Sequence, residues 1–130
     1  MTRRGDWLLS LAMLLLASSA EARVWTVTAN PDMTFTPATL VIYQNDTVKY
    51  VNAGGLHNVH ADDNYFICSL NCSTNNAPST AAWSATVKFR HVGEHGYYCE
   101  AHGDLNGGMR GTIVVLDRVF VDGFESVSAP

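Results

Sequence analysis

The feature that most constrains this chain is the stretch at residues 97–109, which carries three metal-binding side chains on one short loop. Cys99 offers a thiol, His102 an imidazole and Met109 a thioether. An aromatic strand leads into the loop, and a second predicted strand, residues 111–116, leads out of it. A loop of this kind predicts a metal site at the end of two strands.

The donor types of this loop indicate which metal it would hold. Blue-copper electron-transfer sites place two histidines and one cysteine in a plane and add a weakly bound methionine on the axis. The loop supplies three of those four ligands. The second histidine must come from another part of the chain.

The first 22 residues predict a secretory signal peptide. Two arginines at positions 3–4 precede an apolar run at 7–17, and small residues end in the A-x-A pattern at 20–22. A retained membrane anchor is the weaker alternative, because a span needs roughly 20 apolar residues. Glycine and aspartate at 5–6 favour the general secretory route over twin-arginine export. We therefore expect an exported protein, periplasmic or secreted.

Cleavage after Ala22 leaves 108 residues from Arg23 to Pro130, which suits a single domain. The removed segment carries as many acidic as basic residues, so the net charge stays at −4. A mildly acidic domain is a poor candidate for binding nucleic acid or an anionic membrane. We predict the domain at 23–117 and a C-terminal tail at 118–130.

Three cysteines are an odd number for an exported protein. Cys68 and Cys72 lie close together in a polar stretch, where a turn could bring them within disulfide range. Closing so small a loop contributes roughly 2 kcal/mol in the chain-entropy model. Cys99 is then left as the free thiol, and its neighbours suggest that it is a metal ligand.

The hydrophobic pattern predicts an all-β fold. Short alternating segments are separated by glycine, proline, asparagine and aspartate turns, and no stretch after the signal segment has a sustained helical period. About seven to eight short strands of this kind favour an antiparallel Greek-key β-sandwich. The predicted strands lie at residues 24–28, 39–43, 47–52, 57–61, 83–90, 95–100 and 111–116.

Four histidines besides His102 compete for the remaining ligand position. His91 and His95 are poor candidates, because four residues of extended chain place His95 about 13 Å from Cys99. His57 and His60 point to opposite faces of a strand, so at most one of them faces the site. His57 is favoured, since it follows a glycine loop that could lie at the same end of the sandwich.

These motifs resemble the cupredoxin family of small type 1 blue-copper proteins, of the plastocyanin-like bacterial type. The similarity is carried by residues 54–59, 97–102 and 108–113, and it extends over roughly residues 24–116. The resemblance implies the cupredoxin-like sandwich and one copper ion per chain, which alternates between Cu(I) and Cu(II).

The family pattern also implies roles for individual residues. It maps the copper ligands onto His57, Cys99, His102 and Met109. It maps onto Asn58 an asparagine that links the two ligand segments by hydrogen bonds. One difference is that six residues separate His102 from Met109, more than in plant plastocyanin, which leaves the Met109–copper distance and the reduction potential open.

The resemblance further implies a soluble one-electron carrier between redox partner proteins outside the cytoplasm. We expect these partners to dock near the edge of His102, on an apolar patch for which Leu56, Leu105 and Met33 are candidates. We expect a monomer with no membrane span after signal cleavage. All four ligand positions are filled, which argues against an enzyme, since catalytic metal sites keep a position free.

Three other interpretations use the same residues. A periplasmic copper-binding or copper-delivery protein would exchange the metal instead of electrons. A metal-free sandwich is disfavoured, because a buried His–Cys–His–Met cluster packs no better than leucine and valine. A mononuclear metalloenzyme would require an open coordination position, which the motif does not provide.

Overall fold

The computed structural model describes residues 21–73 and 75–118, and within them the chain is built of β-strands without a helix. Most of the predicted signal peptide (1–20) and the tail beyond Arg118 lie outside the described residues. No helix among the described residues is long and apolar enough to cross a membrane. The strands are β1 (Val24–Ala29), β2 (Phe35–Thr36), β3 (Thr39–Tyr43), β4 (Thr47–Asn52), β5 (Val59–Ala61), β6 (Ile67–Cys68), β7 (Cys72–Ser73), β8 (Ser84–Lys88), β9 (Gly93–Asp104) and β10 (Gly107–Leu116).

The first sheet has the strand order β2-β1-β4-β8. Strands β1 and β4 run parallel, with Val24 opposite Thr47, whereas β8 pairs antiparallel with β4. Side chains alternate along each strand, so that Val27 points inward from β1 and Val48 and Tyr50 point inward from β4. This alternation gives the sheet one buried face.

The second sheet has the strand order β3-β10-β9-β5-β6-β7. Strand β10 lies between β3, to which it is parallel, and β9, to which it is antiparallel. Cys99, Ile113 and Val115 point from β9 and β10 into the space between the sheets. The ends of β4, β9 and β10 thus frame one end of the sandwich.

The predicted all-β Greek-key sandwich is confirmed, with ten strands and two parallel pairs. The parallel pairs arise because the chain crosses to the second sheet at β3 and returns as β4, running in the same direction as β1. The additional strands β2, β6 and β7 have two residues each, which is too short to show a period in the sequence.

Aromatic rings fill the centre of the core. Tyr97 meets Phe35 and Tyr50 edge-on, with ring centroids 4.9 and 5.3 Å apart. The hydroxyl groups of Tyr50 and Tyr97 are buried and have no hydrogen-bond partner among the described residues. Burial raises the pKa of both phenols, so they remain neutral.

The predicted disulfide is present. Cys68 and Cys72 are bonded across the short β6–β7 hairpin, with Cα atoms 4.1 Å apart. Cys99 is the free, buried cysteine. The disulfide therefore closes the polar stretch between Cys68 and Cys72 at the sheet edge, and it leaves the thiol of Cys99 available to bind a metal.

Candidate metal centre

A bulge between β9 and β10 brings the candidate ligands together. Tyr98 pairs with Arg110 and Gly103 with Gly108, so the segment from Cys99 to His102 lies opposite Met109 alone. In a regular strand, Cys99 and His102 would point to opposite faces, because they are three residues apart. The extra residues break that alternation. Both side chains can therefore face the same point.

Three donor atoms converge at this point. The Sγ atom of Cys99 lies 3.8 Å from Nδ1 of His57 and 3.8 Å from Nδ1 of His102. The three atoms all lie within 4.8 Å of one another, and no second group of this kind occurs among the described residues. His57 and Cys99 are fully buried, whereas His102 is half-buried.

This donor set fits a copper ion. Three donors that surround one ion at about 2.0–2.3 Å, as imidazole and thiolate ligands do, stand roughly 3.8 Å apart. Thiolate and imidazole, with a thioether beside them, are the ligands that select copper. The residues present therefore match the metal that the sequence predicts.

The ring of His57 is fixed by its second nitrogen. Nε2 lies 2.8 Å from the carbonyl oxygen of Asn30, which can only accept a hydrogen bond, so Nε2 carries the proton. Nδ1 then presents its lone pair to Cys99. The backbone of His57 exchanges two hydrogen bonds with Ser79, at 3.2 and 3.0 Å, and its carbonyl also accepts one from the Trp83 indole at 3.1 Å.

Gly55 makes room for this ring. Its φ is +101°, and a Cβ atom built there would lie 2.7 Å from Nε2 of His57. The glycine loop before His57 is therefore required both by its backbone conformation and by the close approach of the ring.

Asn58 joins the two ligand segments. It is fully buried, and its Oδ1 accepts a hydrogen bond from the backbone N–H of Glu100 at 2.9 Å. Its Nδ2 donates to Oε2 of Glu100 at 2.8 Å and to the carbonyl of Asn76 at 2.9 Å. Asn58 follows His57 and Glu100 follows Cys99, so this contact sets the spacing of two candidate ligands.

The other histidines have different partners. Nδ1 of His60 lies 2.6 Å from Glu100, and its ring stacks on Tyr98 with centroids 4.9 Å apart. His95 binds the backbone carbonyl of His91 through Nε2 at 2.7 Å and packs against Phe89. None of the three belongs to the converging donor group.

Negative charge surrounds the outer face of Tyr98. Burial, followed by the charges of Glu100 and Asp62, raises the pKa of its phenol. The guanidinium of Arg110 lies 5.9 Å from the centre of the Tyr98 ring and forms an ion pair with Asp62. This face is therefore a network of paired charges beside the bulge.

The stretch between His102 and Met109 forms a hairpin instead of an irregular loop. Asp104 pairs with Gly107 around a two-residue tip, and its Oδ1 accepts the backbone N–H groups of Asn106 and Gly107 at 2.7 and 3.1 Å. Met109 is 2% exposed, directly after the hairpin. The long spacing is thus accommodated outside the site.

The hairpin depends on two glycines. A Cβ atom at Gly103 would lie 2.7 Å from the backbone nitrogen of Met109. A Cβ atom at Gly108, whose φ is +81°, would lie 2.4 Å from the carbonyl oxygen of His102. The two strands approach too closely here for any other residue.

Exposed apolar side chains surround this end of the sandwich. Leu56 lies directly before His57, and Leu105 stands at the hairpin tip. Met33 belongs to the turn at Asn30, whose carbonyl accepts hydrogen bonds from both Met33 and His57. Leu56, Leu105 and Met33 are 44%, 59% and 53% exposed. The three predicted patch residues therefore all reach solvent.

Two groups that support the site, the Glu100 side chain and the Asn30 carbonyl, could not be predicted from the sequence. Glu100 carries no sequence signal for its role, because its partners Asn58 and His60 are distant in sequence. The carbonyl of Asn30 orients His57 from the turn after β1, and a backbone oxygen leaves no trace in residue types. Only the folded chain brings these groups together.

A family of copper-binding proteins and three individual proteins resemble this chain. The family of copper-binding proteins called the plastocyanin/azurin family matches residues 22–116. Chloroplastic plastocyanin of Chlamydomonas reinhardtii is 34% identical over 106 residues, covering 78% of this chain and 72% of the relative. Plastocyanin of Scenedesmus fuscus is 33% identical over 90 residues, covering 64% and 87%. Amicyanin of Paracoccus versutus shares the fold, with a TM-score of 0.55 and 22% identity over 77% of this chain and 88% of that one.

Proposed function

The chain belongs to the plastocyanin/azurin family of copper-binding proteins and is a one-electron carrier, and we propose that His57, Cys99, His102 and Met109 hold its single type 1 copper. The observation that carries this assignment is the convergence of Cys99 Sγ with the Nδ1 atoms of His57 and His102 at 3.8 Å. The buried position of Met109 opposite the bulge supports it as the residue that would supply the fourth donor.

The protein residues hold the site in one arrangement. Cys99 would hold copper as a thiolate, and its thiol proton would be released on binding. His57 keeps its proton on Nε2 through Asn30, which leaves Nδ1 free as a donor. Asn58 fixes the distance between the two ligand segments. Bound copper supplies a reversible one-electron change, and the rigid frame lets that change occur with little movement.

Electrons would enter and leave at the half-buried ring of His102. Leu56, Leu105 and Met33 form the exposed apolar surface at the same end of the sandwich, and such a patch suits a transient protein partner. The four protein ligands leave no position for a substrate, which supports a carrier without enzymatic activity.

Electron self-exchange between two copies tests this docking surface without a known partner. A glutamate at Leu105 should slow self-exchange and leave the copper spectrum unchanged, because the charge lies on the approach surface. Leu70→Glu is the matched control, since Leu70 is 65% exposed at the β6–β7 turn. Equal rates in the two variants would place the docking surface elsewhere.

The protein would act outside the cytoplasm, in the periplasm or as a secreted protein. The basic start, apolar run and A-x-A pattern of the leader support cleavage after Ala22. The mature chain would then begin at Arg23, directly before β1, with its domain at 23–117. The Cys68–Cys72 disulfide agrees with an oxidising compartment.

Copper titration of the reduced mature protein tests the ligand set. An intense visible thiolate-to-copper band and a single electron-spin signal should appear at one copper per chain. Cys99→Ser should abolish the band, while His91→Ala, an exposed histidine outside the donor group, should retain it. Absence of the band in the unaltered protein would refute the assignment.

Two further measurements separate the remaining roles. Met109→Leu should keep the band and shift the reduction potential, because an axial ligand tunes the copper without determining its binding. Transfer of copper to a competing chelator separates electron transfer from copper delivery. Rapid loss of the metal without a stable reversible couple would favour delivery.

A further inference from the structure

A buried carboxylate lies at the opposite end of β4 from the metal centre. Asp46 is fully buried in the turn between β3 and β4, whereas His57 follows the far end of β4. Six strand residues place the two ends roughly 20 Å apart. The environment of Asp46 therefore requires an explanation independent of copper.

Four groups surround this carboxylate. The backbone N–H of Arg23 donates to Oδ1 at 2.8 Å, and the indole of Trp25 and the backbone N–H of Tyr43 donate to Oδ2 at 2.9 and 3.0 Å. The guanidinium of Arg118 forms an ion pair with Oδ1. Burial opposes ionisation of Asp46, but these donors and the charge of Arg118 outweigh it and lower the pKa.

One of these donors is the backbone nitrogen at the predicted cleavage site. Signal removal after Ala22 turns the Arg23 amide into a free α-ammonium group. We propose that Asp46 is the binding site for this new N-terminus, so that removal of the leader completes an ion pair within the folded domain. The inference rests on the proposed cleavage after Ala22 and not on the copper ligands.

The local structure already holds Arg23 in place. Its carbonyl accepts the backbone N–H of Thr47 at 2.8 Å, so both backbone groups of Arg23 are bound to the start of β4 and the turn before it. Glu21 and Ala22 are exposed and precede β1. The bond between Ala22 and Arg23 therefore lies at the edge of the domain, and its cleavage displaces no buried side chain.

Cleavage changes the charge of the contact and leaves its position unchanged. A charge-assisted hydrogen bond is roughly twice as strong as a neutral one. The carboxylate would then be shared by the α-ammonium group and Arg118, whose contact with the carbonyl of Glu21 is lost with the leader. Other charged side chains on segments adjoining Asp46 include those of Arg23, Lys49, Lys88, Arg90 and Asp117.

The stability added by the ion pair between the new N-terminus and Asp46 should decrease as the pH rises. Pairing with Asp46 raises the pKa of the α-amino group above its usual value of about 7.7–8.0. The added stability is therefore fully present below about pH 8 and is lost as the pH rises through the raised value.

The first measurement is the intact mass of the exported, copper-loaded protein. A chain beginning at Arg23 supports the proposal, and any other start overturns it. The second compares this protein with a variant that begins at Glu21. The mature form should melt about 4–8 °C higher at pH 6, and the difference should shrink at pH 10. Equal melting temperatures at pH 6, or a difference independent of pH, would overturn the proposal.

Asp46→Asn, introduced into both the mature protein and the variant that begins at Glu21, tests whether Asp46 is the partner of the new N-terminus. The difference in melting temperature should disappear, whereas Asp63→Asn, at an exposed aspartate, should preserve it. A difference that persists in Asp46→Asn would overturn the assignment.

A reactivity measurement avoids any folding defect of Asp46→Asn. At pH 6.5, below both pKa values, the α-amino group of the mature protein should react with an acylating reagent more slowly than that of the Glu21 variant, by roughly tenfold for each unit by which its pKa is raised. Equal rates would refute the ion pair. The mature protein and the Glu21 variant should show the same copper band. Loss of the band in both would count against the copper assignment and not against the N-terminal ion pair.

Discussion

Replacement of Asn58 by alanine tests whether one buried side chain holds the two ligand segments together. The substitution removes three hydrogen bonds, one accepted from the Glu100 backbone and two donated to Glu100 and Asn76. The Glu100 side chain reaches solvent and can find water. The backbone N–H of Glu100 and the carbonyl of Asn76 would be left without a partner.

The stability lost in Asn58→Ala can be estimated from the two polar groups left without a partner. Each unsatisfied buried polar group costs about 1–3 kcal/mol, so two of them should lower the unfolding free energy by roughly 2–6 kcal/mol. For a domain of this size, each kcal/mol lowers the melting temperature by roughly 4–8 °C, so the fall should be about 8 °C or more. The loss of a group that orients metal ligands should also weaken copper binding about 10–100-fold.

Thermal unfolding of the metal-free protein and copper competition measure the two effects separately. Asn71→Ala is the matched control, because Asn71 is exposed and its side chain has no hydrogen bond among the described residues. If Asn58→Ala is no less stable than Asn71→Ala and binds copper equally well, the spacing of the ligands is set by other contacts and the reasoning is refuted.

For three further substitutions the structure predicts the direction of the effect on stability or on the copper site. Tyr97→Phe removes a buried hydroxyl without a partner among the described residues and should stabilise the protein by about 1 kcal/mol in denaturant unfolding; destabilisation would reveal a missing partner. Asp46 has a lowered pKa, so its contribution to stability is complete above about pH 4 and is lost as the pH falls through the lowered value. The unfolding free energy of Asp46→Asn should therefore decline less steeply with falling pH than that of the unaltered protein. Gly108→Ala should disrupt the hairpin and change the copper spectrum, whereas Gly107→Ala, which meets open space, should change neither; identical spectra for both would contradict the geometry.

The sequence predicts strands well where their side chains alternate and turns bound them. Strands β3 and β4 have the predicted ends, because Asn45 and Asp46 form a turn between two alternating segments. The predicted strands at 95–100 and 111–116 are parts of the longer β9 and β10. The segment between them, residues 101–110, contains Gly103 and Gly108, where pairing depends on close backbone approach and not on strand propensity.

The candidate ligands could be selected from the sequence for a different reason. Chemistry restricts the choice at Cys99 and His102, because few residue types bind a soft metal and these two are close in sequence. The contacts that support the site are not restricted to particular residue types in this way. Glu100 and Asn30 act through tertiary contacts to residues 42 and 27 positions away, and nothing in their local sequence indicates those partners.

Buried amide side chains place both ligand segments through contacts within the protein itself. Nδ2 of Asn52 donates to the carbonyls of Gly55, Ser79 and Ala81 at 3.0, 3.2 and 2.9 Å, and its Oδ1 accepts from the backbone of Gly54 at 3.0 Å. Asn52 thus fixes the loop before His57 at the end of β4. Asn58 then fixes the segment after His57 to the residue beyond Cys99. The positions of the candidate ligands His57 and Cys99 therefore follow from hydrogen bonds that do not involve a metal, which is the property required of a carrier whose copper changes charge while its ligands stay in place.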